Sequence, residues 1–293
     1  MESDATSDVR AQALTEPEMH MHGPAPATDP AEAVAGTTEF RLLRAGGTLV
    51  ALETTSGARP VLLYAGTDIP GATGQQLALL ATRQHAPGGS TLPLRGSLIN
   101  EIGTGISGPS GLIAHRGGHD WAIDLRLERI EDNQSGGIVL HCKDANTGVA
   151  ACHELQVDPE TGMLRAATKL TNLHSEPLAV DWCAGLCLPL DQNLDQLKSL
   201  TGRWSGEFQI EEVGQFRGSF VRENKAGRTS HDCFPGLIAS AASTSEAQGP
   251  AAGFHLAWSG NHRLRVDRHS DGRAIVQMGE MPFPGEIQLA GNE

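Results

Sequence analysis

The sequence predicts an all-β protein: two large stacked antiparallel sheets behind a disordered leader. Apolar stretches of strand length recur more than a dozen times, turn residues separate them at roughly regular spacing, and no segment sustains a helical period. Many antiparallel strands in one chain bury their apolar faces by stacking sheet on sheet. No internal repeat is visible.

Residues 1–36 are rich in Ala, Pro, Glu, Asp and Thr, and Gly23-Pro24-Ala25-Pro26 admits no regular structure, so this part reads as a disordered leader. His20 and His22 within it make no metal site on an unstructured segment. The β domain then runs over 37–293. Phe40–Leu43, Gly46-Gly47 and Thr48–Leu52 form a hairpin, and Pro60–Tyr64 a third strand. Gly71–Ser97, with Pro87-Gly88-Gly89, reads as one long irregular loop of the kind that carries function or moves.

The middle of the chain is the clearest β region. Trp121–Leu127 and Gly137–Cys142 alternate, and Cys152–Val157 turns at Asp158-Pro159-Glu160-Thr161-Gly162 into Met163–Asn172. One strand follows over Leu178–Leu188. Leu194–Ser199 reads as a short helical turn, and Gly206–Val213, Gly236–Ala242 and Gly253–Trp258 as strands. Leu264–Asp267 and Ala274–Met278 pair across Asp271-Gly272.

Composition excludes several functions. The 293 residues carry a formal charge of −13 with Lys and Arg scattered, which rules against a nucleic-acid partner. No run of about 18 apolar residues exists to span a membrane. The acidic start Met1-Glu2-Ser3-Asp4 is no secretory signal, so the expected location is cytoplasmic. The odd set Cys142, Cys152, Cys183, Cys187 and Cys233 reads as reduced thiols. A three-residue turn at Asn146-Thr147-Gly148 places Cys142 opposite Cys152 and His141 opposite His153, with thiols and imidazoles on different faces. Such a set cannot close around zinc. No cofactor or metal site is expected.

The carboxylates available for a glycosidase pair are Glu207, Glu211, Glu212, Asp120 and Asp124, and they read as solvated strand faces. His115-Arg116-Gly117-Gly118-His119-Asp120-Trp121 is the densest polar group. It reads as a hydrogen-bonded turn with Trp121 in the core. Gly103–Gly108 has the letters of a Gly-rich loop, but no helix follows to supply amides for a phosphate.

Three ordered motifs carry a resemblance. Leu200-Thr201-Gly202-Arg203-Trp204 with Glu207-Phe208, Gly227-Arg228-Thr229-Ser230-His231 with Pro235, and Gly253–Asn261 ending in Trp258-Ser259-Gly260-Asn261 resemble the amino-terminal domain of bacterial α-galactosidases of glycoside hydrolase family 36. Pro284-Gly285-Glu286 and Ile287-Gln288-Leu289 are similar to the stretch leading to the catalytic barrel. The resemblance covers about Phe40 to the end. It implies a β-supersandwich packed against a (β/α)8 barrel, retaining hydrolysis of α-galactosides by two barrel aspartates, and assembly as a homotetramer. It also implies that this chain is a fragment without the barrel, with no catalytic residue of its own and no activity alone.

Loops of the family's domain approach a neighbour's pocket, which makes Thr82 and Arg83, after Leu80-Ala81, the substrate-contact candidates. The family's acidic residue is missing there, and Ile106 stands where some members carry Asp. Arg228, Ser230, His231, Trp258 and Asn261 read as structural. Two alternatives are a mutarotase-like supersandwich enzyme, using His115 or His119 with Glu207, and a stand-alone carbohydrate-binding module. The first needs those groups to converge. The second has little stacking surface, because aromatic residues make up only 4% of the chain.

Overall fold

The computed structural model describes residues 38–81, 96–106, 108–133, 135–229, 231–269 and 272–293. β1 (Phe40–Ala45), β2 (Thr48–Glu53) and β3 (Val61–Thr67) lead to a short helix, α1 (Gly74–Leu80), and a 3-10 turn at Ile102–Thr104. Then come β4 (Leu112–His115), β5 (Arg126–Asp132), β6 (Ile138–Asp144), β7 (Val149–Val157), β8 (Leu164–Asn172) and β9 (Leu178–Cys183). The remainder is β10 (Cys187–Leu190), β11 (Gln196–Arg203), β12 (Gly206–Val213), β13 (Gly218–Asn224), β14 (Gly236–Ser240), β15 (Ala251–His255), β16 (His262–Arg268), β17 (Ala274–Glu280) and β18 (Gln288–Leu289).

The all-β class and antiparallel pairing hold throughout. Among the described residues the ladders divide into five sheets, ordered β1-β2-β3, β10-β17-β16-β13, β12-β11-β14-β15, β18-β9-β4 and β5-β6-β7-β8. One cause of the division is visible where a single strand was expected over Leu178–Leu188. Between β9 and β10 the Ala184 and Gly185 amides leave the ladder to donate to Gly111 O and Met278 O, and the chain passes from one sheet to another.

Period-two burial builds the cores. β6 and β7 alternate strictly, sending Ile138, Leu140, Cys142, Val149, Ala151 and Leu155 inward against Leu98, Ile99, Leu125 and Leu178. A second core gathers Leu197, Leu237, Leu264, Val266 and Val276 between the sheets of β11 and β16.

Several local expectations are corrected. Within Gly71–Ser97, α1 forms because Thr73 and Gln76 make a reciprocal capping box that satisfies two free amides. Leu194–Ser199 is not helical: burial of Leu197 and Ser199 follows the strand period, and β11 starts at Gln196. Ile123, Leu125 and Leu127 do face inward, yet ladder pairing begins only at Arg126, and Trp121 lies 54% exposed rather than in the core. Strands β4 and β13 fall where the sequence reading has none.

The β6–β7 hairpin is one residue out of the expected register. Cys142 pairs with Ala151, His141 with Cys152 and Leu140 with His153, leaving four residues in the loop. Asp144 causes this: its carboxylate accepts from Asn146 N at 2.9 Å and Thr147 Oγ1 at 2.8 Å, closing a side-chain turn that draws one more residue out of the ladder. A one-residue slip exchanges faces, so Cys152 Sγ meets His141 Nδ1 at 3.2 Å while Cys142 enters the core. The leader, Thr82, Arg83, Pro87-Gly88-Gly89, Ser230 and Asp271 lie outside the described residues.

Candidate functional site

A hollow of about 380 Å³ is lined by Asp124, Arg126, Glu128, Lys143 and Asp144, so it is the place to look for an acid–base pair. Asp144 is already committed, accepting from Asn146, Thr147 and, at 3.0 Å, the Asp124 amide. Asp124 receives Arg59 Nε at 2.5 Å and Arg126 Nη2 at 2.7 Å. Burial works to raise its pKa, but the hydrogen bonds and charge of these two guanidinium groups outweigh it and hold the carboxyl below its usual range. It is an ionised, fully engaged carboxylate.

Glu101 is the opposite case, a carboxyl that sequence reasoning did not single out as buried. It is 1% exposed, with Ser97 Oγ as hydrogen-bond partner. Burial pushes its pKa up to about 8; amides of its own residue and Leu125 oppose the shift, and Asp124 adds to it. A proton-bearing carboxyl thus lies within electrostatic reach of an ionised one. Glu101 does not line the hollow, however, and no sugar oxygen can reach it there. Glu211 pairs with Arg222 and Glu212 with Lys198 at 2.9 Å, as solvated strand faces do.

The group from His115 to Trp121 is a structural corner. Arg116 and His119 exchange backbone hydrogen bonds across Gly117 and Gly118, both at positive φ as a two-residue hairpin turn requires. The Arg116 side chain is buried and donates to Thr147 O at 2.6 Å and Asn172 Oδ1 at 2.6 Å. Asn172 Nδ2 in turn donates to Glu176 O and Leu289 O, tying β18 to β8. His115 Nδ1 accepts from Gly118 N, and its Nε2 faces Asp181 at 3.3 Å. Glu207 is in a different sheet, accepting from Ser205 N at 2.9 Å with His231 Nδ1 3.9 Å away. The mutarotase-like trio is therefore not brought together.

The motif residues form a second corner. Gly227 N donates to Asn261 Oδ1 at 2.8 Å and Thr229 N to Ser259 O at 2.6 Å, stitching the two loops together. Asn224, which sequence reasoning missed, braces the corner from below through Arg228 O at 2.6 Å and Ala226 N at 2.9 Å. Asn261 has the structural role expected of it; Arg228 and His231 are exposed. Trp204, 79% exposed at the β11–β12 turn, meets the His231 ring edge-on at 6.0 Å. Phe208, held at φ 54, packs edge-on against Phe234. No local sequence signal marks Phe234 as the ring that joins Phe208 and His255. Among the described residues no group of three or more His, Cys, Asp or Glu side chains could hold a metal, and no helix is long and apolar enough to cross a membrane.

Among the described residues the fold is a set of antiparallel β-sheets whose Arg116–Asn172 and Asn224–Asn261 clusters brace its corners. The family model described as the glycosyl hydrolase family 36 N-terminal domain matches residues 58–290, and the chain belongs to that family. An α-galactosidase of Escherichia coli is 36% identical over 197 residues, which are 67% of this chain and 27% of the relative. A probable α-galactosidase G of Aspergillus terreus is 27% identical over half of the chain and 20% of its own length.

Among solved structures, the fold matches a family 36 α-galactosidase from Geobacillus stearothermophilus in complex with raffinose at a TM-score of 0.77 and 18% identity. That match covers 87% of this chain and 39% of the other. The α-galactosidase from Lactobacillus brevis gives 0.77 and 17%, covering 87% and 38%. The chain spans only a minor part of each relative. Among the described residues there is no (β/α)8 barrel.

Proposed function

We propose that this chain acts as the non-catalytic N-terminal β domain of an α-galactosidase. Terminal α-galactosides are hydrolysed, with retention, by carboxylates of a (β/α)8 barrel, which this domain buttresses in a cytoplasmic homotetramer. Thr82 and Arg83 contribute the loop that approaches a neighbouring subunit's sugar. The observation that carries the reading is the family match over 58–290, joined by the 197-residue alignment that covers only 27% of the E. coli α-galactosidase. The engagement of Asp124, Asp144, Glu211 and Glu212 by cations and turn amides supports it, because a retaining pair needs two carboxyls facing one sugar about 5 to 5.5 Å apart.

The test uses the purified chain and a chimera in which it replaces the aligned segment of the E. coli enzyme. With a chromogenic α-galactoside the chain gives no turnover above a mock preparation, whereas the chimera hydrolyses it. Turnover by the chain alone overturns the reading. Within the chimera, Arg83→Ala raises KM with kcat little changed.

A further inference from the structure

Beside the motif corner lies a second hollow, of about 410 Å³, lined by Thr229, Phe234, Pro235, His255, Trp258 and Ser259 among others. Aromatic side chains are scarce in the chain, with 4 Trp, 7 Phe and 1 Tyr, yet two form this wall and Phe208 backs one of them. Both wall rings lie close against a glycine. A Cβ on Gly260 would come within 2.7 Å of the Trp258 indole nitrogen, and one on Gly236 within 2.6 Å of the Phe234 ring. The indole N–H is spent on Asn261 O at 3.1 Å, which fixes the ring plane. Trp258 stays 43% exposed although Gly260 lies against its indole, so part of the ring remains open to a ligand.

Phe234 is held from two directions, edge-on by Phe208 at 6.0 Å and by the His255 ring at 5.5 Å. The Thr229–Ser259 and Gly227–Asn261 bonds lock the loops that carry the wall. A rigid aromatic face beside hydroxyl and imidazole groups is complementary to a ring that is apolar on one face and hydroxylated around its edge. Preorganisation of this kind removes the ordering cost that otherwise opposes binding to so open a surface.

We propose that this hollow is a carbohydrate-binding site that stacks the apolar face of one pyranoside ring on Trp258 and Phe234. His255, Thr229 and Ser259 meet its hydroxyl edge. The galacto configuration, whose axial 4-hydroxyl leaves a continuous C–H face, is the preferred one. That preference rests on the functional reading above, whereas the site itself does not.

The experiment titrates methyl α-D-galactopyranoside into the full chain and follows the Trp258 indole proton by 1H–15N NMR, with methyl α-D-glucopyranoside in a parallel arm. The expected result is a saturable shift with a Kd on the order of millimolar, weaker for the glucoside. Trp258→Ala and His255→Ala, each checked for an unchanged unfolding midpoint, weaken binding, the former by about tenfold as loss of one stacked ring predicts. Trp204→Ala, outside the hollow, leaves Kd unchanged. No saturable shift for either sugar, or equal binding by a folded Trp258→Ala chain followed by ligand-observed NMR, overturns the site. Tighter binding of the glucoside overturns the galacto preference. None of these results bears on turnover by the chimera, so the two readings fail separately.

Discussion

Replacing Glu101 by Gln is expected to abolish a loss of stability that the native chain suffers in mildly alkaline solution. In the fold its carboxyl titrates at about 8, against 4.5 for an ordinary glutamate. A folded pKa above the unfolded one contributes stability that is complete below the unfolded value and disappears as pH rises through the folded value. The gap is about 3.5 units, so roughly 5 kcal/mol is lost between the two limits.

His153 works the other way. Burial lowers its imidazole from 6.5 to about 4, so its contribution is present above 6.5 and lost as pH falls toward 4. The two slopes oppose each other between 4.5 and 6.5; above 6.5 Glu101 acts without His153. From pH 6.5 to 8 the native chain should lose about 2 kcal/mol, or roughly 4 to 8 °C in Tm for a domain of this size. Thermal unfolding followed by circular dichroism at half-unit steps measures it, and Glu101→Gln should be flat across the same interval. Parallel slopes for the two proteins would refute the assignment of the proton to Glu101.

Three further outcomes are expected. Arg116→Ala leaves Thr147 O buried without its guanidinium donor and Asn172 Oδ1 with the His174 amide alone, and should cost about 3 kcal/mol in urea unfolding, with Lys restoring only part of it. Gly162→Ala should cost more than about 1 kcal/mol, because φ is +70° and a Cβ there would meet Thr48 Oγ1 at 2.7 Å and the Gly46 carbonyl; a neutral midpoint contradicts this. Burial pushes the Cys142 and Cys183 thiols up to about 12 and Cys187 well above its usual value, so a disulfide reagent at pH 8 should leave all three unlabelled until urea is added.

The strands were legible wherever one face is buried and the other wet. β6 and β7 announce themselves by alternation, and the Asp158–Gly162 turn by residues whose backbone angles it needs. Register was not legible, because it turned on the Asp144 side chain entering its own loop, which hydrophobic pattern cannot report. Strand breaks such as Ala184-Gly185 were hidden for a related reason: the amides there bond to Gly111 and Met278, which are remote in sequence. The motif corner was legible as a resemblance, but its bracing by Asn224 and its joining ring at Phe234 depend on β13 and β14 meeting their neighbours. Isolated residues carry no trace of that encounter.

Glu101 and Asp124 show why separated pKa values alone do not make an active site. A neutral acid and an ionised carboxylate within electrostatic reach is the arrangement that hydrolases use, and perturbed pairs of this kind concentrate in clefts that work. Here the same shift has a different origin. Glu101 is neutral because the core around Ile99 and Leu125 excludes water, and that exclusion also bars a substrate. Asp124 is ionised because Arg59 and Arg126 hold both of its oxygens. Access therefore decides between stability and catalysis. Arg59→Gln separates them: it frees one side of Asp124, moves that carboxyl back toward its usual pKa and lowers stability, and it should still yield no glycoside hydrolysis, because Glu101 remains sealed. Measurable turnover in that variant would mean that the buried acid can be reached, and that the pair is a suppressed catalytic site rather than part of the core.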